Sequence, residues 1–145
     1  MTDTQIERLS EHRGNDLADL CDAAEAAIVA GGGFGWLTPP RRDVMEAYWR
    51  GNLLVPGRTV FVGRLDGVIA GSAQLNRPRA SSEAQSFAVN VSTFFVAPWA
   101  RGHGLAPGML DACEELARRE AYTVLNLDVR ATQERAIQIY EESGY

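Results

Sequence analysis

Residues 91–110 read VSTFFVAPWARGHGLAPGML, and this stretch decides the fold. Its first half is apolar and rich in β-branched and aromatic side chains, which is typical of a buried strand. Pro98 ends that strand because proline has no N–H group to donate to a neighbouring strand. The stretch predicts a strand, a glycine loop and a helix in direct succession. The predicted helix has apolar residues at helical spacing, at Met109, Leu110, Cys113, Leu116 and Ala117.

A glycine loop between a strand and a helix can bind an anion. The free N–H groups of the first helical turn carry a partial positive charge. Glycines let the backbone approach a ligand closely, and phosphates are the usual ligands of such a site. The alternative is a tight turn that binds nothing, and a pair of glycines alone does not decide between the two.

The composition is that of one globular domain. The chain has 145 residues, of which 46% are hydrophobic, enough for a packed core and too many for a disordered chain. No apolar run approaches the roughly 20 residues that span a bilayer. The N-terminus lacks the basic start and apolar segment of a signal peptide. We therefore expect a cytoplasmic protein that has no membrane partner.

Charge and cysteine content narrow the function classes. The formal net charge of −5 disfavours a nucleic-acid partner and favours a cationic substrate such as an amine. Cys21 and Cys113 fall within helical patterns and show no metal-ligand spacing. We expect two reduced core thiols and no metal site.

A glycine-rich segment separates the first two predicted helices. Residues 31–36 read GGGFGW, which predicts a loop. One interpretation is a plain connector. The other is a mobile wall in which Phe34 and Trp36 cover a substrate cleft, since loops often carry function. The sequence leaves both interpretations open.

The other segments predict further helices and strands. Helices are expected over residues 6–30, with a break near residues 13–15, and again from Thr38 onwards. A hairpin of residues 59–65 and 68–75 precedes the strand that ends at residue 96. A strand over residues 123–129 and a helix over residues 132–142 close the chain. The last strand follows a strand–helix unit, so we expect it to pair in parallel through a right-handed crossover.

Two separate motifs resemble those of one enzyme family. Arg101-Gly102-His103-Gly104-Leu105-Ala106, preceded by Val96-Ala97-Pro98, resembles the acetyl-CoA pyrophosphate loop of the GCN5-related N-acetyltransferases, the GNAT family. Residues 135–145, RAIQIYEESGY, resemble that family's Ala-Ile-x-Leu-Tyr-Glu-x-x-Gly-Phe segment. The resemblance implies a single GNAT domain over residues 1–145. Its fold would be α/β (α+β), with a mixed central sheet flanked by helices.

Several segments resemble one branch of the family, and two residues depart from the family pattern. Residues 31–37, 48–49, 70–75 and 125–128 resemble the branch that includes the tabtoxin-resistance acetyltransferase. That branch usually has an acidic residue near the start of the central strand, where this chain has Asn90, which cannot act as a base. Gln133 stands where the family often has Asn, and its longer amide can still reach the cofactor.

The C-terminal end is a further departure. The family continues past the matching Gly-Tyr with two more strands, whereas this chain stops at Tyr145. We expect a domain that is truncated after Tyr145 and lacks the C-terminal strands. An exposed sheet edge would favour pairing with another chain, and a homodimer is one such arrangement.

The resemblance implies acetyl transfer from acetyl-CoA to a primary amine of a small molecule. The pantetheine arm would pair with the Phe95 and Val96 backbone like an added strand. The Val96 N–H group would then stabilise the oxyanion of the tetrahedral intermediate. The implied cofactor-binding residues are Phe95, Val96, Arg101, Gly102, His103, Gly104, Leu105, Ala106 and Gln133. The implied acceptor pocket contains Phe34, Trp36 and Asn90.

The implied acid and base are Tyr140 and Asp128. Tyr140 matches the family's general-acid tyrosine, and its alternative role is that of an amphipathic core residue. Asp128 would take the proton of the amine, or it is a structural carboxylate that caps the following loop. His103 sits at a variable loop position, where it would face solvent or a phosphate.

Other functions remain open at this point. A catalytically weak or inactive GNAT-fold module could bind acyl-CoA and act through a partner. A peptide or protein could be the acetyl acceptor instead of a small molecule. A nucleotide-binding domain is a further alternative, since its phosphates would suit the same loop.

Overall fold

A computed structural model of the protein describes residues 3–31, 36–78 and 88–127. The predicted helix over residues 132–142 therefore lies outside the described residues. The described elements are, in chain order, β1 Thr4–Leu9, α1 Asp16–Val29, α2 Arg42–Asn52, β2 Arg58–Leu65, β3 Val68–Asn76, β4 Ala88–Val96, a 3₁₀ turn Pro98–Ala100, α3 Leu105–Arg119 and β5 Val124–Leu127. No helix among these residues is long and apolar enough to cross a bilayer.

The five strands form one mixed sheet in the order β1-β2-β3-β4-β5. The first three pairs of neighbours are antiparallel, and β4 pairs with β5 in parallel. Helix α3 connects the two parallel strands, which cannot be joined by a tight turn. The prediction of a mixed sheet with a parallel crossover at the central strand is confirmed.

The sheet has a hydrophobic core on each face. We call the face covered by α1 and α2 the α2 face, and the opposite face the α3 face. The α2 face packs Val60, Val62, Ile69 and Phe95 against the helices, with Leu20 and Trp49 among the buried helical residues. The α3 face packs Phe61, Ala73, Leu75, Val89 and Val91 against Met109, Leu110 and Cys113.

The first strand corrects the prediction of a helix over residues 6–30, since only α1, from Asp16, is helical. Ile6 and Leu9 are three residues apart, a spacing that puts two side chains on one side of a helix and on opposite sides of a strand. Ile6 packs at the α3 face, close to Gly108, and Leu9 is buried at the α2 face. The two residues therefore serve both cores, which a helix could not allow.

The second helix begins later than the sequence predicted. Arg41, with extended backbone angles, is the residue before its first turn, and Thr38 is not a cap. Two consecutive prolines explain the delay, because each proline disfavours a helical conformation for the residue before it. The buried side of α2 is formed by Met45, Trp49 and Asn52.

Strand β4 contains an extra residue relative to β3. Ser72 pairs with Phe95 and Gln74 pairs with Ser92, so two residues of β4 stand opposite one residue of β3. Thr93 lies in this bulge with a φ angle of 51°. A bulge breaks the alternation of a strand, and as a result Ser92 and Phe95 both belong to the α2 face.

Candidate active site

The loop between β4 and α3 depends on two glycines in the left-handed region. Gly102 has a φ angle of 85°, and Gly104, the residue that precedes α3, has a φ angle of 81°. A Cβ atom placed on either glycine would meet no atom of the described part of the chain within 4 Å. These glycines are therefore needed for the shape of the backbone, and the loop surface in front of them is open.

The same loop offers several N–H groups to an anion. Among the described residues, the amides of Gly102, His103 and Gly104 have no backbone acceptor, whereas the Gly108 N–H group donates to the Gly104 carbonyl at 3.0 Å. The first turn of α3 contains no acidic residue. Arg101 is exposed at the start of the loop and adds a full positive charge.

The remaining predicted loop residues anchor the site. Leu105 is only 2% exposed and packs with Ala70 and Ala100. Ala106 is partly buried against the α3 face, and His103 is exposed. The loop is thus anchored by buried side chains and presents exposed amides, an arrangement that fits a diphosphate at a helix N-terminus.

Phe95 and Val96 lie where β3 and β4 come unusually close. A Cβ atom on Gly71 would lie 2.5 Å from the Phe95 carbonyl oxygen and 3.2 Å from the Val96 Cα atom. The Ala97 N–H group then donates to the Ala70 carbonyl at 2.7 Å. On the other side of β4, the described pairing with β5 runs from Ala88–Val124 to Val91–Leu127.

Aromatic residues connect the wall of the predicted pocket to β4. The ring centroids of Trp36 and Tyr48 are 4.9 Å apart, those of Tyr48 and Trp49 are 5.0 Å apart, and those of Trp49 and Phe95 are 6.0 Å apart. Tyr48 also hydrogen-bonds Thr93 in the β4 bulge, with 3.0 Å between the two hydroxyl oxygens. Trp36 therefore does belong to the surroundings of β4, as a packed side chain.

A row of asparagines crosses the sheet in front of the bulge. Asn76, Asn90 and Asn126 are register partners on β3, β4 and β5. The Asn126 amide nitrogen lies 3.2 Å from the Asn90 side-chain oxygen, and Asn76 donates to Ser92 Oγ at 2.7 Å. Asn90 lies near the start of β4, and its neighbours in the row are polar and uncharged.

Sequence reasoning missed part of this surface. It identified Asn90 but not Asn76, Asn126 or the buried Gln74, because single amides in strands give no motif. Register could have revealed the row, since the three asparagines align only once the pairing of the strands is known. Four predicted site residues lie outside the described residues: Phe34, Asp128, Gln133 and Tyr140.

Comparisons with known proteins agree with this geometry. The model of the acetyltransferase (GNAT) family matches residues 20–145. The chain is 59% identical over 135 residues to an uncharacterized N-acetyltransferase of the hisH-hisA intergenic region of Azospirillum brasilense. The matched region covers 93% of this chain and 80% of that protein.

Solved structures show the same fold at low sequence identity. An N-acetyltransferase from Staphylococcus aureus Mu50 superimposes with a TM-score of 0.73 at 21% identity, covering 97% of this chain and 82% of that one. The putative acetyltransferase yncA from Salmonella typhimurium, solved with its cofactor acetyl-CoA, gives a TM-score of 0.72 at 20% identity, covering 98% and 79%.

Proposed function

This chain belongs to the acetyltransferase (GNAT) family and uses acetyl-CoA as its acetyl donor, and we propose that its acceptor is the primary amine of a small molecule. The observation that carries the donor side of the reaction is the β4–α3 loop, in which two left-handed glycines present amides beside Arg101, and the negative net charge of the chain favours an amine as the acceptor. Acetyl-CoA supplies an activated acetyl group as a thioester, which the amine attacks directly.

The cofactor fits the residues that are present. The amides of residues 102–106 and the Arg101 guanidinium would hold the diphosphate, and Gln133 is the proposed additional amide ligand. The Phe95 and Val96 backbone would pair with the peptide-like pantetheine arm. The Val96 N–H group would act as a preorganised donor to the thioester oxygen, as such donors do in other acyl transfers.

Two proton transfers complete the reaction. An alkylamine has a pKa near ~10.4, so its ammonium form must lose a proton before the nitrogen can attack. The Asp128 carboxylate takes that proton, directly or through water, because the Asn90 carboxamide cannot. Tyr140 then gives its phenolic proton to the departing thiolate.

Release of CoA in the presence of amines tests the proposed function. The purified chain is incubated with acetyl-CoA and a panel of amino acids, polyamines and amine antibiotics, and both the free thiol and the mass of the acceptor are measured. We expect CoA release together with one added acetyl group on at least one small amine. Tight binding of acetyl-CoA without transfer to any of them would support a non-catalytic module instead.

Substitution of Tyr140 tests its role as general acid. Tyr140→Phe should lower turnover at least tenfold, while the dissociation constant for acetyl-CoA changes less than twofold, because the phenol acts on the leaving group. Asp128→Asn should move the pH at which activity rises towards the pKa of the free amine. Unchanged turnover in Tyr140→Phe would remove this residue from the chemistry.

A further inference from the structure

Gln74 is a buried amide without a hydrogen-bond partner among the described residues. Its side chain is 1% exposed, and within residues 3–31, 36–78 and 88–127 neither its oxygen nor its nitrogen has a partner. Leaving such a group unsatisfied costs about 1–3 kcal/mol. A leucine of similar size would avoid that cost, so the amide serves a purpose other than stability.

Gln74 belongs to the α2 face beside the asparagine row. It is the register partner of Ser92, and Asn76 is two residues further along the same strand and on the same face. The Ser92 hydroxyl accepts from Asn76, which leaves its own O–H group uncommitted among the described residues. Ser92 is three residues before Phe95 on β4, and the bulge between them brings both residues onto the α2 face.

The hydrogen bonds of the row leave N–H donors free to bind a ligand. The Arg58 Nε–H group donates to the Asn76 oxygen at 2.7 Å, which turns the Asn76 nitrogen towards Ser92 and the Asn90 carbonyl. Asn90 and Asn126 share one hydrogen bond. Whichever of these two amides donates, the pair keeps three N–H groups for a ligand, and both of its oxygens keep lone pairs as well.

The described residues of this surface carry positive charge and no negative charge. Asn76, Asn90, Asn126, Ser92 and Gln74 are neutral, and Arg58 at the end of the row is a cation whose guanidinium also contacts Asn52 at 2.7 Å. A cationic polyamine would meet the positive charge of Arg58 here, whose hydrogen-bond partners among the described residues are the neutral oxygens of Asn76 and Asn52. A carboxylate or carboxamide oxygen would find partners for its lone pairs.

Building on the proposed function, we infer that the Gln74–Ser92–Asn90–Asn126 surface binds a carboxylate or carboxamide group of the acceptor. The acceptor is then an amino acid or an amino-acid amide, and its amine is directed towards the β4 bulge. Gln74 supplies the donor that is shielded from water and therefore sets specificity.

Matched acceptors test this inference. Acetylation is measured for every protein amino acid, for its carboxamide, and for the amine that lacks the carboxyl group. We expect kcat/KM to be at least tenfold higher for the best amino acid or amide than for the corresponding amine, and comparison of acid with amide identifies the group that is recognised. Equal or faster reaction of the simple amines would overturn the inference and leave the proposed function intact. Absence of transfer to every compound would overturn both.

Gln74→Leu separates binding from folding. We expect a melting temperature a few degrees higher, because the unsatisfied amide is gone, together with a KM for the acceptor at least tenfold higher and an unchanged KM for acetyl-CoA. Thr59→Val is the control, since Thr59 is also buried but accepts from Arg77 at 2.9 Å. It should lower the melting temperature and leave both KM values unchanged. An unchanged acceptor KM in Gln74→Leu contradicts the inference.

Discussion

Tyr48 Oη lies 3.0 Å from Thr93 Oγ1, so helix α2 is tied to a residue of β4 whose φ angle is 51°. A β-branched residue in the left-handed region is strained, at about 1–3 kcal/mol, and keeps that conformation only when its surroundings enforce it. The hydrogen bond is one such restraint. It holds the bulge that brings Ser92 and Phe95 onto the same face of the sheet.

Removal of the Tyr48 hydroxyl should therefore loosen the bulge. We expect Tyr48→Phe to lower the free energy of unfolding by about 1 kcal/mol, the usual contribution of one hydrogen bond. Denaturant titration measures this change. In a Thr93→Gly background, which removes both the hydroxyl partner and the strain, the same substitution should cost much less. An equal cost in both backgrounds would show that the hydroxyl does not act through Thr93.

The close approach at Gly71 gives a second prediction. The Phe95 carbonyl is backbone and cannot move aside cheaply from a Cβ atom at 2.5 Å. We expect Gly71→Ala to destabilise the fold by about 1–3 kcal/mol and to raise the KM for acetyl-CoA. Gly51→Ala is the matched control, because Gly51 lies inside α2 with open space around it. That variant should gain about 0.5–1 kcal/mol. Equal stability of both variants would contradict the crowded geometry.

The buried ion pair of Arg64 and Asp16 should make stability depend on acid. Arg64 donates two hydrogen bonds to the Asp16 carboxylate, at 2.9 and 3.1 Å, and holds the pKa of Asp16 below its ordinary value of 3.8. A lowered folded-state pKa means that this stabilisation is present above the unfolded pKa and is lost as the pH falls through the folded one. Stability should therefore drop below about pH 4.

Asp16→Asn isolates this contribution. The side chains of Asp16 and Arg64 are 9% and 10% exposed, and Arg64 keeps Glu7 as a second partner at 3.1 Å, so removal of the Asp16 charge should cost about 1.5–3 kcal/mol. The variant should lose that amount near neutral pH and show a flatter acid limb. Glu115→Gln breaks an exposed pair with Arg119 and should cost less than about 0.5 kcal/mol. A loss in Asp16→Asn as small as in this control would argue against a buried pair.

Both cysteines should be inert in the folded protein. Cys113 is fully buried, and burial raises the pKa of its thiol to about 12; burial also raises the pKa of Cys21. Since the thiolate is the reactive form, neither residue should react with a thiol reagent at pH 8 until the protein unfolds. Thiol titration with and without denaturant measures this. Rapid labelling of the native protein would contradict the packing of α1 and α3.

Some of the fold was predictable because its signals are local. Asp66 and Gly67 both have positive φ angles, 51° and 85°, in the hairpin turn that their residue types predicted. The loop at Gly102 and Gly104 was predictable for the same reason, because few other residues adopt those angles. Strand β1 was not predictable. Ile6 and Leu9 have a helical spacing, and this spacing fits a strand only when both faces of the sheet are covered by a core.

The candidate site was predictable where it depends on the backbone and unpredictable where it depends on register. No property of Thr93 announces a φ angle of 51°, which the neighbouring strands and Tyr48 impose. Asn76, Asn90 and Asn126 are separated widely along the chain and meet only through pairing. The sequence motif therefore indicated where we propose that the cofactor binds, and strand pairing indicates which residues surround the proposed acceptor site.

The central claim is that the β4–α3 loop binds the diphosphate of acetyl-CoA. Gly104→Ala should strain the loop by about 1–2 kcal/mol, because Gly104 has a φ angle of 81°. Gly67→Ala, at a φ angle of 85° in a distant turn, imposes a comparable strain elsewhere and should change only stability.

The most direct measurement compares acetyl-CoA with S-acetylpantetheine, which lacks the diphosphate, as donors for wild type and both variants. We predict that Gly104→Ala raises the KM for acetyl-CoA about tenfold and leaves the KM for S-acetylpantetheine unchanged. Gly67→Ala should change neither KM. A wild-type enzyme without preference for acetyl-CoA, or a Gly104→Ala variant that keeps the full preference, would contradict the account.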